Sequence, residues 1–105
     1  MNIPKSFQLL GQTIKVKHHK SLYKRHKCHG LWVPMEYTII IQQSVPGCQL
    51  SEEYREQTFY HELTHAILEM TGHEKISARE SVVESVSQAL YQFMKQANVK
   101  YAITE

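Results

Sequence analysis

From Glu52 to Thr71 the chain runs without a Gly or Pro, and near the middle of that stretch stands His61-Glu62-Leu63-Thr64-His65. Ser51 is placed to cap a helix, and Glu52, Glu53 and Glu56 lie near its positive end. Tyr54, Leu63, Ala66, Ile67 and Met70 recur at helical spacing, and Gly72 supplies a stop. Positions four apart share a helix face, so His61 and His65 present two imidazoles to one cation. Glu62, beside them, is placed to handle a proton on an attacking water. This pattern points to zinc hydrolase chemistry. The flanking Gln57, Thr58, Phe59, Tyr60, Leu63 and Thr64 carry no charge, as a buried metal helix requires. The competing reading is a helix with two surface histidines.

A catalytic zinc site needs a third protein ligand. Ser77-Ala78-Arg79-Glu80 fits the capping box of a second helix. Val82, Val83, Val86, Ala89, Leu90, Phe93 and Met94 give that helix an apolar stripe, with Asn98 a reasonable end and 99–105 unassigned. The short link from Gly72 to Ile76 folds the two helices into an antiparallel hairpin. His65 lies seven residues before Gly72 and Glu84 seven after Ser77. Each is roughly 10 Å from the turn, so the two can face each other. The expected metal ligands are therefore His61, His65 and Glu84. Glu80 is the alternative, either as a ligand or orienting a ligand imidazole; the capping box would turn it toward the Ser77 backbone. For Glu84 the competing reading is a solvent-facing position.

The first half reads as strands. Gly11-Gln12 marks a turn, and Thr13 to Lys17 alternates with period two. Residues 18–29 are polar and basic, a loop or a hairpin arm. Leu31-Trp32-Val33 is stopped by Pro34, Tyr37 to Gln42 is a β-branched strand, and Val45-Pro46-Gly47 ends it. If Tyr37 to Gln42 is an edge beside the metal helix, an extended peptide could pair with it; the run Ile39-Ile40-Ile41 equally suits an interior strand. The expected fold is α+β: a small antiparallel sheet of about three strands packed on an antiparallel helix pair that carries the zinc site, in one domain spanning 1–105.

The length of 105 residues, 42% hydrophobic and 21% charged, suits one ordinary globular domain. No apolar run approaches the ~20 residues of a membrane span, and no cationic-then-apolar leader opens the chain, so a cytoplasmic location is expected. Cys28 and Cys48 are then expected as free thiols. Residues 1–49 carry a net +6 and 50–105 a net −4. Lys15, Lys17, Lys20, Lys24, Arg25 and Lys27 form a basic stretch without an acid. It is a solvated cationic loop or a patch for an acidic partner or nucleic acid, and no nucleic-acid-binding motif supports the second reading. Cys28-His29 with His26, and His18-His19, match no standard zinc spacing.

Taken together, His61 to Leu68, the later Val83-Glu84-Ser85-Val86-Ser87, and the upstream Gly30 with Thr38 to Gln42 resemble the gluzincin metallopeptidases. They are more closely similar to small phage and bacterial metallopeptidase-like proteins of the ImmA/IrrE type. The resemblance covers roughly residues 30–95 and implies a zincin-like fold and zinc-dependent cleavage of a protein or peptide. It implies Zn²⁺ held by His61, His65 and Glu84, with Glu62 as general base. Tyr60, His73, Tyr91 and His29 are candidates to stabilise the developing oxyanion. The other expected function is a metal-stabilised binding or accessory protein, associated with nucleic acid through 15–27. Members of the resembled type often carry a further DNA-binding or regulatory domain, for which this chain has no room.

Overall fold

The computed structural model describes residues 3–20, 29–45 and 48–104. Strands β1 (Ser6–Leu9), β2 (Gln12–His19), β3 (Gly30–Val33) and β4 (Thr38–Gln42) form one sheet in the order β1-β2-β4-β3. β5 (Ser44–Val45) and β6 (Cys48–Gln49) form a separate two-stranded ribbon. Three helices follow: α1 (Glu52–Met70), the single turn α2 (Glu74–Ser77) and α3 (Glu80–Thr104). The fold is α+β, as the sequence implied, but the sheet has four strands and is mixed. β2 pairs parallel with β4, Val16 opposite Ile39, whereas β1–β2 and β3–β4 are antiparallel.

The parallel pair follows from where the apolar residues lie. Ile39 and Ile41 of β4 are fully buried, and Thr38 and Gln42 are buried with them. A strand covered along its whole length belongs inside a sheet, so Tyr37–Gln42 is not the edge that peptide pairing would need. β3 is that edge. The β3–β4 link is a 3-10 turn at Pro34–Glu36, and it closes with Tyr37 at φ 47°. β2 extends through His18 and His19, beyond the Lys17 limit seen in the alternation. Lys15 and Lys17 are exposed on it. Lys24, Arg25, Lys27, His26, Cys28, Pro46 and Gly47 lie outside the described residues, so the basic stretch is described only in part.

Helix α1 is the middle layer. It packs on β3 and β4 with one side and on α3 with another. Ser51 caps it as the sequence implied, its Oγ accepting from the Tyr54 amide at 3.1 Å. Gly72, at φ 83°, turns the chain out after it. Glu53 pairs with Lys95 at 3.7 Å and His65 with Glu80 at 3.0 Å, so α1 and α3 run antiparallel. Phe59, Tyr60 and Ala66 of α1 meet Ile14, Val16, Trp32, Ile39 and Ile41 of the sheet and Tyr91 of α3 in one core. Of the expected α3 stripe, Val83 is buried and Leu90 and Met94 pack against the core, whereas Val86 and Phe93 face solvent. α3 continues past Asn98 to Thr104. No helix among the described residues is long and apolar enough to cross a membrane.

The expected capping box is absent. Ser77 closes α2, an additional turn between the long helices. The amides of Val82 and Val83 bond to the Arg79 carbonyl, so α3 starts without help from Ser77. This insertion changes which carboxylate faces α1.

Close packing of α1 on β3 depends on Gly30. A Cβ there would sit 2.5 Å from Thr58 Cγ2 and 3.0 Å from both Cγ and Oε2 of Glu62. Gly30→Ala should therefore destabilise the fold by about 1–3 kcal/mol through overpacking. Adding Thr58→Ser, which removes the clashing methyl, should recover part of that loss in urea titration. Equal stability of Gly30→Ala and the parent would contradict the close approach.

Candidate metal centre

His61 and His65 lie one turn apart on the α1 face that meets α3, and their rings are 5.0 Å apart centre to centre. α3 sets Glu80 across from both. Its Oε2 is 3.0 Å from His61 Nε2, and its Oε1 is 3.0 Å from His65 Nε2. One donor atom from each of these residues lies within 4.8 Å of the others, so the trio could hold a metal ion. Among the described residues no other group of His, Cys, Asp and Glu is placed this way. His18 is instead 2.6 Å from the Arg55 guanidinium through Nδ1.

Glu84, the ligand expected from the helix count, stands behind the trio. Its Oε2 is 2.9 Å from His61 Nδ1, the nitrogen turned away from Glu80. The count treated Ser77 as the start of the second helix. The helical return already begins with α2 at Glu74, three residues before Ser77, and the carboxylate one turn earlier than Glu84 reaches the imidazole pair. Glu84 thus takes the orienting position considered for Glu80, and Glu80 the position expected of Glu84.

The donor set can be tested against a cation. Both Nε2 atoms face the Glu80 carboxylate, and each pair needs a proton or a cation between nitrogen and oxygen. One dication in place of two protons leaves the charge of the cluster unchanged. In a tetrahedral zinc site with bonds of ~2.1 Å, neighbouring donors are about 3.4 Å apart; here each imidazole Nε2 has a Glu80 oxygen at 3.0 Å, Oε2 for His61 and Oε1 for His65. The Nε2 atoms point inward because Nδ1 of each ring is engaged: His61 Nδ1 by Glu84, His65 Nδ1 by Ser77 Oγ at 2.8 Å.

Glu62 projects from a different side of α1, toward β3. In the β3–β4 ladder, the Gln42 amide bonds to the His29 carbonyl at 2.8 Å. Antiparallel ladders alternate, so Gly30 and Trp32 direct their backbone groups to the outer edge. There the Trp32 amide donates to the Glu62 carboxylate. Glu62 is 8% exposed. Burial raises its pKa to about 7; His61 and the Trp32 amide lower it, and Glu80 and Glu69 add to the rise.

These groups line a cleft of about 560 Å³ between β3, α1 and the start of α3. His29 and Tyr54 stand in its wall, bonded to each other through Nδ1 and the phenol oxygen. Burial and Glu84 both raise the Tyr54 pKa. Of the other oxyanion candidates, Tyr60 and Tyr91 are buried in the core with ring centres 5.8 Å apart. His73 is exposed and bonds to Thr71 at the end of α1, at 3.0 Å. Glu69, Ser77 and Tyr54 line or join the site, although from the sequence Ser77 has only a capping role, Tyr54 only a place in the helical pattern and Glu69 no role. Glu69 had a signal, since it follows His65 by four residues on the same face; Ser77 had none beyond its apparent cap.

The Glu62 shift has a consequence for the metal-free protein. A folded-state pKa of about 7 against an ordinary 4.5 means that the folded chain holds a proton the unfolded chain releases between those values. Stability from this group is therefore full below about pH 4.5 and falls as pH rises to about 7. In chelator, Glu62→Gln should gain on the parent across that window, reaching about 3 kcal/mol at pH 8. Urea titrations over pH 4.5–8 would show it, and a pH-independent difference would refute it. No protein-family model, curated protein or solved structure matches the chain.

Proposed function

We propose that the chain is a zinc-dependent metallopeptidase. One juxtaposition carries the reading: a His61–His65–Glu80 donor trio opens on the same cleft as a buried carboxylate, Glu62, one residue along the helix. Two imidazole nitrogens and one carboxylate suit zinc, whereas calcium and magnesium favour oxygen donors throughout. A purely structural site has no use for an adjacent base held on the cleft wall.

Zinc held by His61, His65 and Glu80 would acidify a coordinated water and polarise a substrate carbonyl. Glu62 takes one proton from the attacking water as its oxygen bonds to the carbonyl carbon. It delivers that proton to the amine nitrogen as the C–N bond breaks, leaving a carboxylic acid and a free amine. The Trp32 amide fixes the Glu62 carboxylate during both transfers. Glu84 fixes the His61 ring. Tyr54 with His29 is the polar pair placed in the cleft wall to face the polarised oxygen.

The substrate lane follows from the ladder. The Trp32 amide is held by Glu62, but the Gly30 amide and the Gly30 and Trp32 carbonyls border the cleft, so an extended peptide adds alongside β3 through these groups. The role once open to Tyr37–Gln42 passes to this edge.

The deciding experiment combines zinc titration with peptide-library turnover. Glu62→Gln should bind zinc as the parent does and lose hydrolysis by more than about 100-fold. Glu80→Ala should lose zinc affinity by more than about 100-fold, and Glu84→Ala by about 10- to 100-fold. The reverse order would make Glu84 the ligand, and full activity of Glu62→Gln would end the peptidase reading. On a cleaved peptide, single N-methyl amides should lower turnover about tenfold at alternate positions. Uniform tolerance would remove β3 from substrate binding.

A further inference from the structure

Beyond the trio, the structure holds a second chain of polar contacts. His65 Nδ1 lies 2.8 Å from Ser77 Oγ, and that hydroxyl donates to Glu69 Oε2 at 2.7 Å. Ser77 is 3% exposed, so water does not readily substitute for either partner. The three groups come from different places: His65 and Glu69 are one turn apart on α1, and Ser77 is the last residue of α2.

The direction of the chain is fixed by its far end. The Ser77 hydroxyl is the donor to Glu69 Oε2. Its single hydrogen is thereby used, and the Ser77 oxygen is left to accept from His65 Nδ1–H. A neutral imidazole with its proton on Nδ1 carries its lone pair on Nε2, the atom facing Glu80. His61 reaches the same state directly, with Glu84 on its Nδ1. The two imidazoles are thus set by different devices, one by a carboxylate and the other by a hydroxyl backed by a carboxylate.

We infer that Ser77 and Glu69 are positioning residues that hold His65 with Nδ1 protonated and Nε2 free to ligate a divalent cation. This rests on the metal-site reading and assigns to α2 the task of delivering one hydroxyl. Without Ser77, the Nδ1–H loses its acceptor and the ring is free to turn or to place its proton on Nε2. With Gln at 69, the amide can donate to Ser77. The hydroxyl can then donate to Nδ1, which moves the ring proton to Nε2 and blocks the ligand atom.

The test uses zinc alone and two variants, Ser77→Ala and Glu69→Gln. Ser77→Ala leaves the charge of the site unchanged, so an effect on affinity is not a matter of net charge. Zinc affinity should fall about 10- to 100-fold in each variant. In ¹⁵N-resolved spectra of the zinc-loaded protein, the parent should show a His65 Nδ1–H protected from solvent exchange. Ser77→Ala should lose that protection at least tenfold, while the His61 Nδ1–H keeps its own. Circular dichroism and urea titration in chelator establish that each variant is folded. If the parent binds zinc and both variants match it within twofold, the relay is overturned and the metal site stands. Reduced affinity with an unchanged His65 Nδ1–H overturns it too. Failure of the parent itself to bind zinc overturns the metal reading instead.

Discussion

Everything in the site follows from two imidazoles held between carboxylates at the contact of two antiparallel helices. His61 touches Glu84 with one nitrogen and Glu80 with the other, and His65 touches Glu80 and Ser77. A carboxylate against a bare nitrogen lone pair is repulsive, so each of these contacts needs a proton or a cation between nitrogen and oxygen. Protons can meet that need, and so can one dication. A cation held there would also tie α1 to α3, since Glu80 and the histidines reside on different elements. Metal binding and helix docking would then be a single equilibrium, and removing such an ion would cost stability.

Helix α1 reconciles these demands by dividing its circumference. Phe59, Tyr60 and Ala66 join the core, His61, His65 and Glu69 meet the helical neighbours, and Glu62 reaches the sheet edge. A rotation of about a hundred degrees per residue is why adjacent His61 and Glu62 end up with different partners. Glu62 is thereby shielded by β3 without competing for the carboxylate contacts that serve the imidazoles. Its burial is permitted by a backbone amide donor and by the absence of a side chain at Gly30.

Much of this is legible in the residues alone. Ser51, the uninterrupted helix and the Gly72 stop mark out α1 almost to the residue, because each signal is local. The strand character of 38–42 is equally local. Its place inside a mixed sheet is not, because parallel pairing with β2 joins residues more than twenty positions apart. The third donor is misplaced by helix counting for a related reason. Ser77-x-x-Glu80 satisfies a capping rule, yet both side chains have stronger claims elsewhere: Ser77 on Glu69 and His65, Glu80 on two imidazoles. A local motif yields where tertiary partners offer the same two side chains more polar contacts than the helix end does, here two for Ser77 and two for Glu80.

The turn α2 shows how little sequence such a change of partner needs. Two long helices joined by the minimal link would place residues by simple mirror counting about the turn. With the turn α2 between Gly72 and α3, the residue level with both imidazoles is Glu80, four residues before Glu84. Both glutamates stay in use because they occupy the same α3 face four residues apart, and the pair is offset from His61 and His65 so that one carboxylate spans both Nε2 atoms. The other falls behind the first ring only. The second ring would then lack a partner for Nδ1, and the same insertion supplies one, because its last residue is Ser77. The asymmetry between the two histidines is therefore a geometric result of the inserted turn, and shortening α2 would disturb the Glu80 and Ser77 contacts together.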